Sequence, residues 1–308
     1  MRYLSLDLPK PVSKIGLGTW QFGSREWGYG DRYAKVEAAR IVERALELGI
    51  TLFDTAEIYG LGRSERILGR ALQGHGDVPF VATKIFPVLP LAPVVEQRGV
   101  ASAQRLGLRH LDLYQVHQPN PVVRDGTTMR GMRALQEVGL VGAIGVSNYS
   151  LERWRRCEVA LGGPVLSNQV RYNLVDRRAE RDVIPYAEAQ GRVVIAYSPL
   201  AQGFLSGRYD ASTRPADFVR RRSKLFRPDT LKRATALFGA LRGVADAHGA
   251  TPAQVALAWA IRRPNVVAIP GASSVEQVES NAAAADLDLH DDEIRALSDA
   301  ATNVTSTV

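Results

Sequence analysis

Eight short apolar runs, each followed by a segment with helical periodicity, constrain this chain more than any other feature. The runs are Ile15–Gly18, Thr51–Asp54, Phe80–Thr83, Leu111–Val116, Ala143–Val146, Leu166–Val170, Val193–Tyr197 and Val267–Pro270. Each is near-continuously apolar, the pattern of a parallel strand covered on both faces. The segments between them read as amphipathic helices. In KVEAARIVERALELG, for example, Val36, Ala39, Ile41, Val42, Ala45 and Leu46 recur at helical spacing and Gly49 ends the run. Strand starts from the second to the seventh recur every 23 to 32 residues, about the length of a βαβ unit. A doubly wound sheet shows the same alternation with fewer strands. Eight favour closure, so the expected fold is α/β, a (β/α)8 TIM barrel built as one domain over residues 1–308.

The repeat is stretched between the seventh and eighth runs. That interval has room for a long loop, Ala201–Arg227, and two helices, one around Leu231–Ala247 and one opened by Thr251 and Pro252. After the eighth run a helix over Val275–Ala284 and a last one near Asp291–Ala301 are expected. With 45% hydrophobic and 23% charged residues the chain has apolar surface for a large core and no long low-complexity tract. No run approaches the roughly 20 apolar residues of a membrane helix, and the N-terminal stretch carries charges and prolines where a secretory leader would be apolar. The single cysteine, Cys157, excludes an intrachain disulfide and a thiolate metal cluster, and reads as a small buried side chain on a helix. These features point to the cytoplasm, with no membrane partner and no metal. The net charge of +7 permits an anionic partner, and much of it is local, in Arg220, Arg221 and Arg222 with Lys224, Arg227, Lys232 and Arg233 close behind.

In such a barrel the loops after the strands carry the chemistry. The second run ends in Asp54 with Tyr59 five residues on, the third ends just before Lys84, and the fourth ends just before His117. Four titratable groups therefore converge from three successive strand ends. A tyrosine is a poor acid at neutral pH until a nearby cation favours its phenolate. Lys84 can supply that cation, Asp54 can hold the lysine, and His117 can bond to the same proton relay or to a substrate oxygen. The set suits protonation of an oxyanion as hydride arrives. Taken singly, each residue has a plainer reading: Asp54 a turn cap, Lys84 a solvated charge, Tyr59 and His117 core or rim side chains. Their coincidence at matching positions argues against all four plain readings together.

The segments Gly16–Trp20, Asp54–Ala56 with Tyr59 and Gly60, Thr83–Lys84, Leu111–His117, Gly145–Asn148, Tyr197–Leu200 and Ile269–Ala272 resemble the aldo-keto reductase family, in family order and over nearly the whole chain. The resemblance implies NADP(H)-dependent reduction of an aldehyde or ketone, with Asp54, Tyr59, Lys84 and His117 as the catalytic tetrad and Tyr59 as proton donor. It implies that Ser147, Asn148 and Gln169 hold the nicotinamide carboxamide and that Tyr197 stacks on the ring. The alternative for Ser147 and Asn148 is a cap on the helix that follows. Further cofactor contacts implied are Gly18, Thr19, Trp20, Ser198, Pro199, Leu200, Gln202, Arg208, Ile269, Gly271, Ser273, Gln277 and Asn281. The sequence departs from the best-known reductases at Gly271 and Gln277, where those carry a lysine and an arginine for the 2′-phosphate. Here it resembles the branch that includes the potassium-channel β subunits, whose long loop lends basic residues, with Arg208 for the usual lysine. NADP(H) is expected over NAD(H). The arginine run has three readings: a solvated face, a phosphate clamp, or a nucleic-acid patch, the last without the aromatic platform or recognition helix it would need. Trp20, Trp27 and Tyr29, with Phe22, are candidates for the wall of a pocket for a small carbonyl compound. A second functional reading is a nicotinamide-binding redox sensor or regulatory subunit with slow turnover.

Overall fold

The computed structural model describes residues 1–6, 8–23, 36–210, 212–213, 215 and 218–305. Eight parallel strands run in sequence order: β1 (Leu17–Gly18), β2 (Leu52–Asp54), β3 (Phe80–Ile85), β4 (Leu111–Val116), β5 (Val141–Ser147), β6 (Ser167–Arg171), β7 (Val193–Tyr197) and β8 (Val266–Ala268). The sheet closes on itself where Ile15 pairs with Ala268 and Gly18 with Gly271. The Gly16 and Gly18 amides donate to the carbonyls of Ala268 and Pro270 at 2.8 and 3.0 Å. Glycine is required at this seam, because a Cβ on Gly18 would stand 2.8 Å from the carbonyl oxygen of Ile269.

Period-two alternation sorts the strand side chains into two cores. Leu52, Phe80, Ala82, Leu113, Val193, Ile195, Val267 and Ile269 pack inside the barrel together with Leu4 and Val12 of the N-terminal segment. Phe53, Val81, Ile85, Tyr114, Val116, Ile144 and Val194 point outward against the helices. The alternation has a consequence for chemistry. The next inward positions above that apolar floor are Asp54, Lys84, Gln115, Ser147, Gln169 and Tyr197, so the upper interior layer is polar.

The helices lie near their expected places. Ala38–Glu47 fills the first pattern, and Pro252–Ala260 opens on a reciprocal cap in which Thr251 accepts from the Gln254 amide at 3.3 Å and the Gln254 side chain accepts from the Thr251 amide at 2.7 Å. The one helix expected around Leu231–Ala247 is split into Pro228–Arg233 and Thr235–Ala247. The expected long loop is also partly folded: single turns at Ala201–Ser206 and Lys224–Phe226 flank a short helix, Phe218–Arg222, whose last turn holds the arginine run. Phe204 and Phe226 anchor these turns, their rings 5.7 Å apart edge to face. Two aromatics 22 residues apart show no helical period, which is why the segment reads as a loop. Cys157 is fully buried, and burial pushes its thiol up to about 12. No described helix is long and apolar enough to cross a membrane.

Candidate active site

Lys84 lies at the centre of the polar layer, fully buried. Its ammonium donates to Asp54 Oδ1 at 2.6 Å and to the Thr55 carbonyl at 2.7 Å, and its third contact is a long one, 3.5 Å, to the Tyr59 hydroxyl. Asp54 is 2% exposed, so neither partner of this ion pair has water to fall back on. That removes the reading of Lys84 as a solvated loop charge. Burial by itself would lower the lysine's pKa, but the carboxylate of Asp54 and the Tyr59 oxygen outweigh it and the net direction is upward. Burial pushes the Tyr59 phenol up, against the pull of the Lys84 charge, and here burial wins. The lysine therefore limits a desolvation cost instead of making a free phenolate. His117 stands edge-on to the Tyr59 ring, 5.7 Å between centroids, with Phe86 6.0 Å away on another side. Burial, helped by the Lys84 charge, pulls its pKa down to about 3, so the imidazole is neutral. Its Nδ1 is buried and has no hydrogen-bond partner among the described residues.

The residues assigned to a cofactor by resemblance also gather at the barrel mouth. Ser147 Oγ donates to the Gln169 carbonyl at 2.9 Å, the Asn148 amide donates to Ser147 Oγ at 3.1 Å, and the Tyr197 hydroxyl donates to Asn148 Oδ1 at 3.0 Å. Helix capping does not explain this pair. Ser150, not Ser147 or Asn148, caps Leu151–Leu161, accepting from the Arg153 amide at 3.3 Å. Asn148 adopts φ of 61°, and Ser198, Ala201 and Gln202 have φ of 50°, 48° and 60°. Left-handed backbone at non-glycine residues is costly, and four of the six such residues described lie on these two strand-end loops, the others being Leu61 and Leu89. Donors and acceptors in this arrangement fit a carboxamide.

Other assigned residues play parts that their positions in the chain did not reveal. Thr19 is buried and its hydroxyl is bonded to the Asp54 carbonyl at 3.0 Å and to Ser64 at 2.8 Å, so its side chain braces the tetrad strand. Trp20 is 48% exposed at the mouth and Phe22 is buried. Trp27 and Tyr29 lie outside the described residues. Pro199 is buried beside half-buried Ser198 and Leu200, while Gln202 and Arg208 are exposed. Ile269 forms part of the barrel interior. A Cβ on Gly271 would meet the end of the Gln21 side chain, which would have to shift to admit it. Gln277 accepts from the Ser273 amide and hydroxyl at 2.9 and 3.1 Å, and Asn281 reaches the Gly271 carbonyl at 3.4 Å.

Three residues of the site were not anticipated. Asn173, buried, donates to the Ser198 carbonyl at 2.9 Å and so holds the strained loop from the end of β6. Arg171, one strand over from Tyr197, carries its guanidinium 5.8 Å from the centre of that ring. Together with Gln202, Ser223 and Lys224 these two line a cavity of about 180 Å³. Glu57, inside the Asp54–Gly60 motif, accepts from the Phe86 amide and from Arg98, tying the Tyr59 loop to the end of β3. Arg220 Nε donates to the Gln202 carbonyl at 2.8 Å, which draws the arginine run onto the strained loop. Among the described residues no cluster of histidine, cysteine or carboxylate side chains could hold a metal ion.

A closed eight-stranded barrel carrying Asp54, Tyr59, Lys84 and His117 at one mouth beside the polar set Ser147, Asn148 and Gln169 is the architecture of a nicotinamide-dependent oxidoreductase. The model of the aldo/keto reductase family matches residues 14–302, and the chain belongs to that family, as an NAD(P)H-dependent oxidoreductase. It is 58% identical over 301 residues to an uncharacterised oxidoreductase of Mycobacterium tuberculosis, covering 98% of this chain and 93% of that one. Among solved structures it is similar to a glycerol dehydrogenase from Gluconobacter oxydans, with a TM-score of 0.90 at 29% identity, covering 98% of this chain and 96% of that one. It is also similar to an aldo/keto reductase from Klebsiella pneumoniae in complex with NADP and acetate, with a TM-score of 0.76 at 30% identity, covering 96% and 93%.

Proposed function

We propose that the protein reduces an aldehyde or ketone to the alcohol with NADPH, Tyr59 being the proton donor. The observation that carries this reading is the buried chain Asp54–Lys84–Tyr59, which ends on a phenol at the barrel mouth. When bound, the nicotinamide supplies the hydride. The rest belongs to the protein. His117, held neutral and edge-on to the Tyr59 ring, orients the carbonyl beside the phenol. Tyr59 passes its hydroxyl proton to the carbonyl oxygen, and Lys84 holds the phenolate left behind while Asp54 keeps the lysine charged. Ser147, Asn148 and Gln169 hold the carboxamide, Tyr197 stacks on the ring, the Ser198–Gln202 loop takes phosphate, and Trp20 walls the carbonyl pocket. Arg208 and the arginine run supply charge for the 2′-phosphate, which favours NADPH over NADH. The lone cysteine, a buried free thiol, supports a reducing, cytoplasmic location.

Tyr59→Phe tests the reading. Losing a general acid costs about 100-fold or more in turnover, while the ring and the cofactor site stay, so NADPH should still quench tryptophan fluorescence in the variant. Retention of more than about a tenth of the wild-type rate would remove Tyr59 from the role. A wild-type protein that binds NADPH but turns over no member of an aldehyde and ketone panel would favour the sensor reading.

A further inference from the structure

Gln169 does something its assignment as a carboxamide ligand does not require. Its side-chain amide donates from Nε2 to Asp54 Oδ2 at 2.8 Å, across the barrel interior from β6 to β2, and both residues are buried, 3% and 2% exposed. The other oxygen of the same carboxylate accepts from Lys84. Asp54 is therefore shared between one cation and one amide, and Gln169 Oε1 accepts no hydrogen bond among the described residues. The backbone of Gln169 is fixed as well, its carbonyl accepting from Ser147 Oγ and from the Asn148 amide at 2.9 Å each.

We infer that Gln169 is a positioning residue that couples occupancy of the carboxamide site to the acidity of Tyr59, through Asp54 and Lys84. The inference rests on the reading of the tetrad given above. Its physical basis is the division of charge within the buried chain. An N–H donor on Asp54 offsets part of the carboxylate's charge, and this leaves more of the Lys84 charge to support a Tyr59 phenolate. A Gln169 amide whose Oε1 accepts a hydrogen bond is polarised into a stronger Nε2 donor. A carboxamide N–H delivered to Oε1 thus strengthens the bond on Asp54 and makes Tyr59 the better acid when the hydride source is in place. The ionisable groups facing Tyr59 are Asp54 from β2, Lys84 from β3, His117 beyond β4 and Tyr197 from β7; Glu57, on its own loop, is bound to Arg98. Of these, Gln169 touches Asp54 alone.

The test is the titration of Tyr59 in protein without cofactor, read by NMR of ring-carbon-labelled tyrosine and assigned by the resonance that vanishes in Tyr59→Phe. Gln169→Met keeps the length of the side chain and removes the donor. The Tyr59 transition should move upward by about half a pH unit or more. The alkaline limb of kcat with NADPH should move the same way, whereas a residue that only binds carboxamide would raise KM and leave that limb in place. If Gln169→Met does not fold, Gln169→Leu serves: it also removes the donor on Asp54 and should displace the Tyr59 transition upward in the same way. An unmoved transition in a folded variant overturns the inference. A displaced transition in a protein that reduces no carbonyl compound upholds the coupling and fails the proposed function, so the two are separately decided.

Discussion

Removing Lys84 should cost more in stability than its single charge suggests, and the structure sets the size. In Lys84→Met the Asp54 carboxylate, 2% exposed, keeps only the Gln169 amide as a partner, and the Thr55 carbonyl loses its donor at 2.7 Å. Breaking a buried ion pair from one side costs about 3–5 kcal/mol, because the surviving charge stays desolvated and unpaired. With an unfolding entropy of about 2.1 cal/mol/K per residue, a chain of this length should lose about 5–8 °C in melting temperature. Urea unfolding followed by tryptophan fluorescence measures the free energy directly. The double variant Lys84→Met, Asp54→Leu supplies the control: with both charges gone nothing polar is stranded, and most of the loss should be recovered. A single variant destabilised by less than about 1 kcal/mol, or a double variant no better than the single, would mean that the pair is wetter than its burial indicates.

Two further outcomes follow from the same geometry. The depressed His117 pKa, about 3 against an ordinary value of 6.5, means that the unfolded chain takes up a proton in a window where the folded one does not. The associated stability is complete above pH 6.5 and falls as the pH drops toward 3, at up to about 1.4 kcal/mol per pH unit from this group; His117→Gln should flatten that slope in acid unfolding curves, and equal slopes would show the ring to be exposed. Replacing Arg220, Arg221 and Arg222 together by Ser should weaken NADPH by more than about tenfold, since charged hydrogen bonds to phosphate contribute about 1.5–3 kcal/mol each, and added salt should narrow the NADPH preference of the wild type; unchanged affinity would make the run a solvated face.

The tetrad was legible in the sequence for a geometric reason. In a parallel barrel strand the last inward side chain faces the mouth, so one residue type per strand end is enough to place Asp54, Lys84 and His117 together. The alternation that puts Leu52 in the floor puts Asp54 above it, and Phe80, Ala82 and Lys84 repeat the step on β3. The eight apolar runs gave the strand count by the same logic, and their ends were off by only a residue or two. What was not legible was whatever depends on distances across the barrel. The Gln169–Asp54 bond joins positions 115 residues apart, and no spacing rule connects β6 to β2.

The phosphate end of the site was hard to read for a different reason. A carboxamide needs side chains of particular types at particular strand ends, and Ser147, Asn148 and Gln169 are proposed for that role because they are of those types. A phosphate can be held by backbone amides, and backbone leaves no mark on composition. The marks lie instead in conformation: Ser198, Ala201 and Gln202 sit in the left-handed region, the first held there by Asn173 and the last reached by Arg220. Ser-Pro-Leu-Ala-Gln has no glycine to announce positive φ, so the strain is invisible until the fold imposes it. Strain of that kind must be offset by its surroundings. Asn173, through three hydrogen bonds to Ser198, Val175 and Asp176, is the residue that does so from β6. The loop after β7 is therefore set by the segment that follows the strand beside it, and an Asn173→Ala variant should loosen both together.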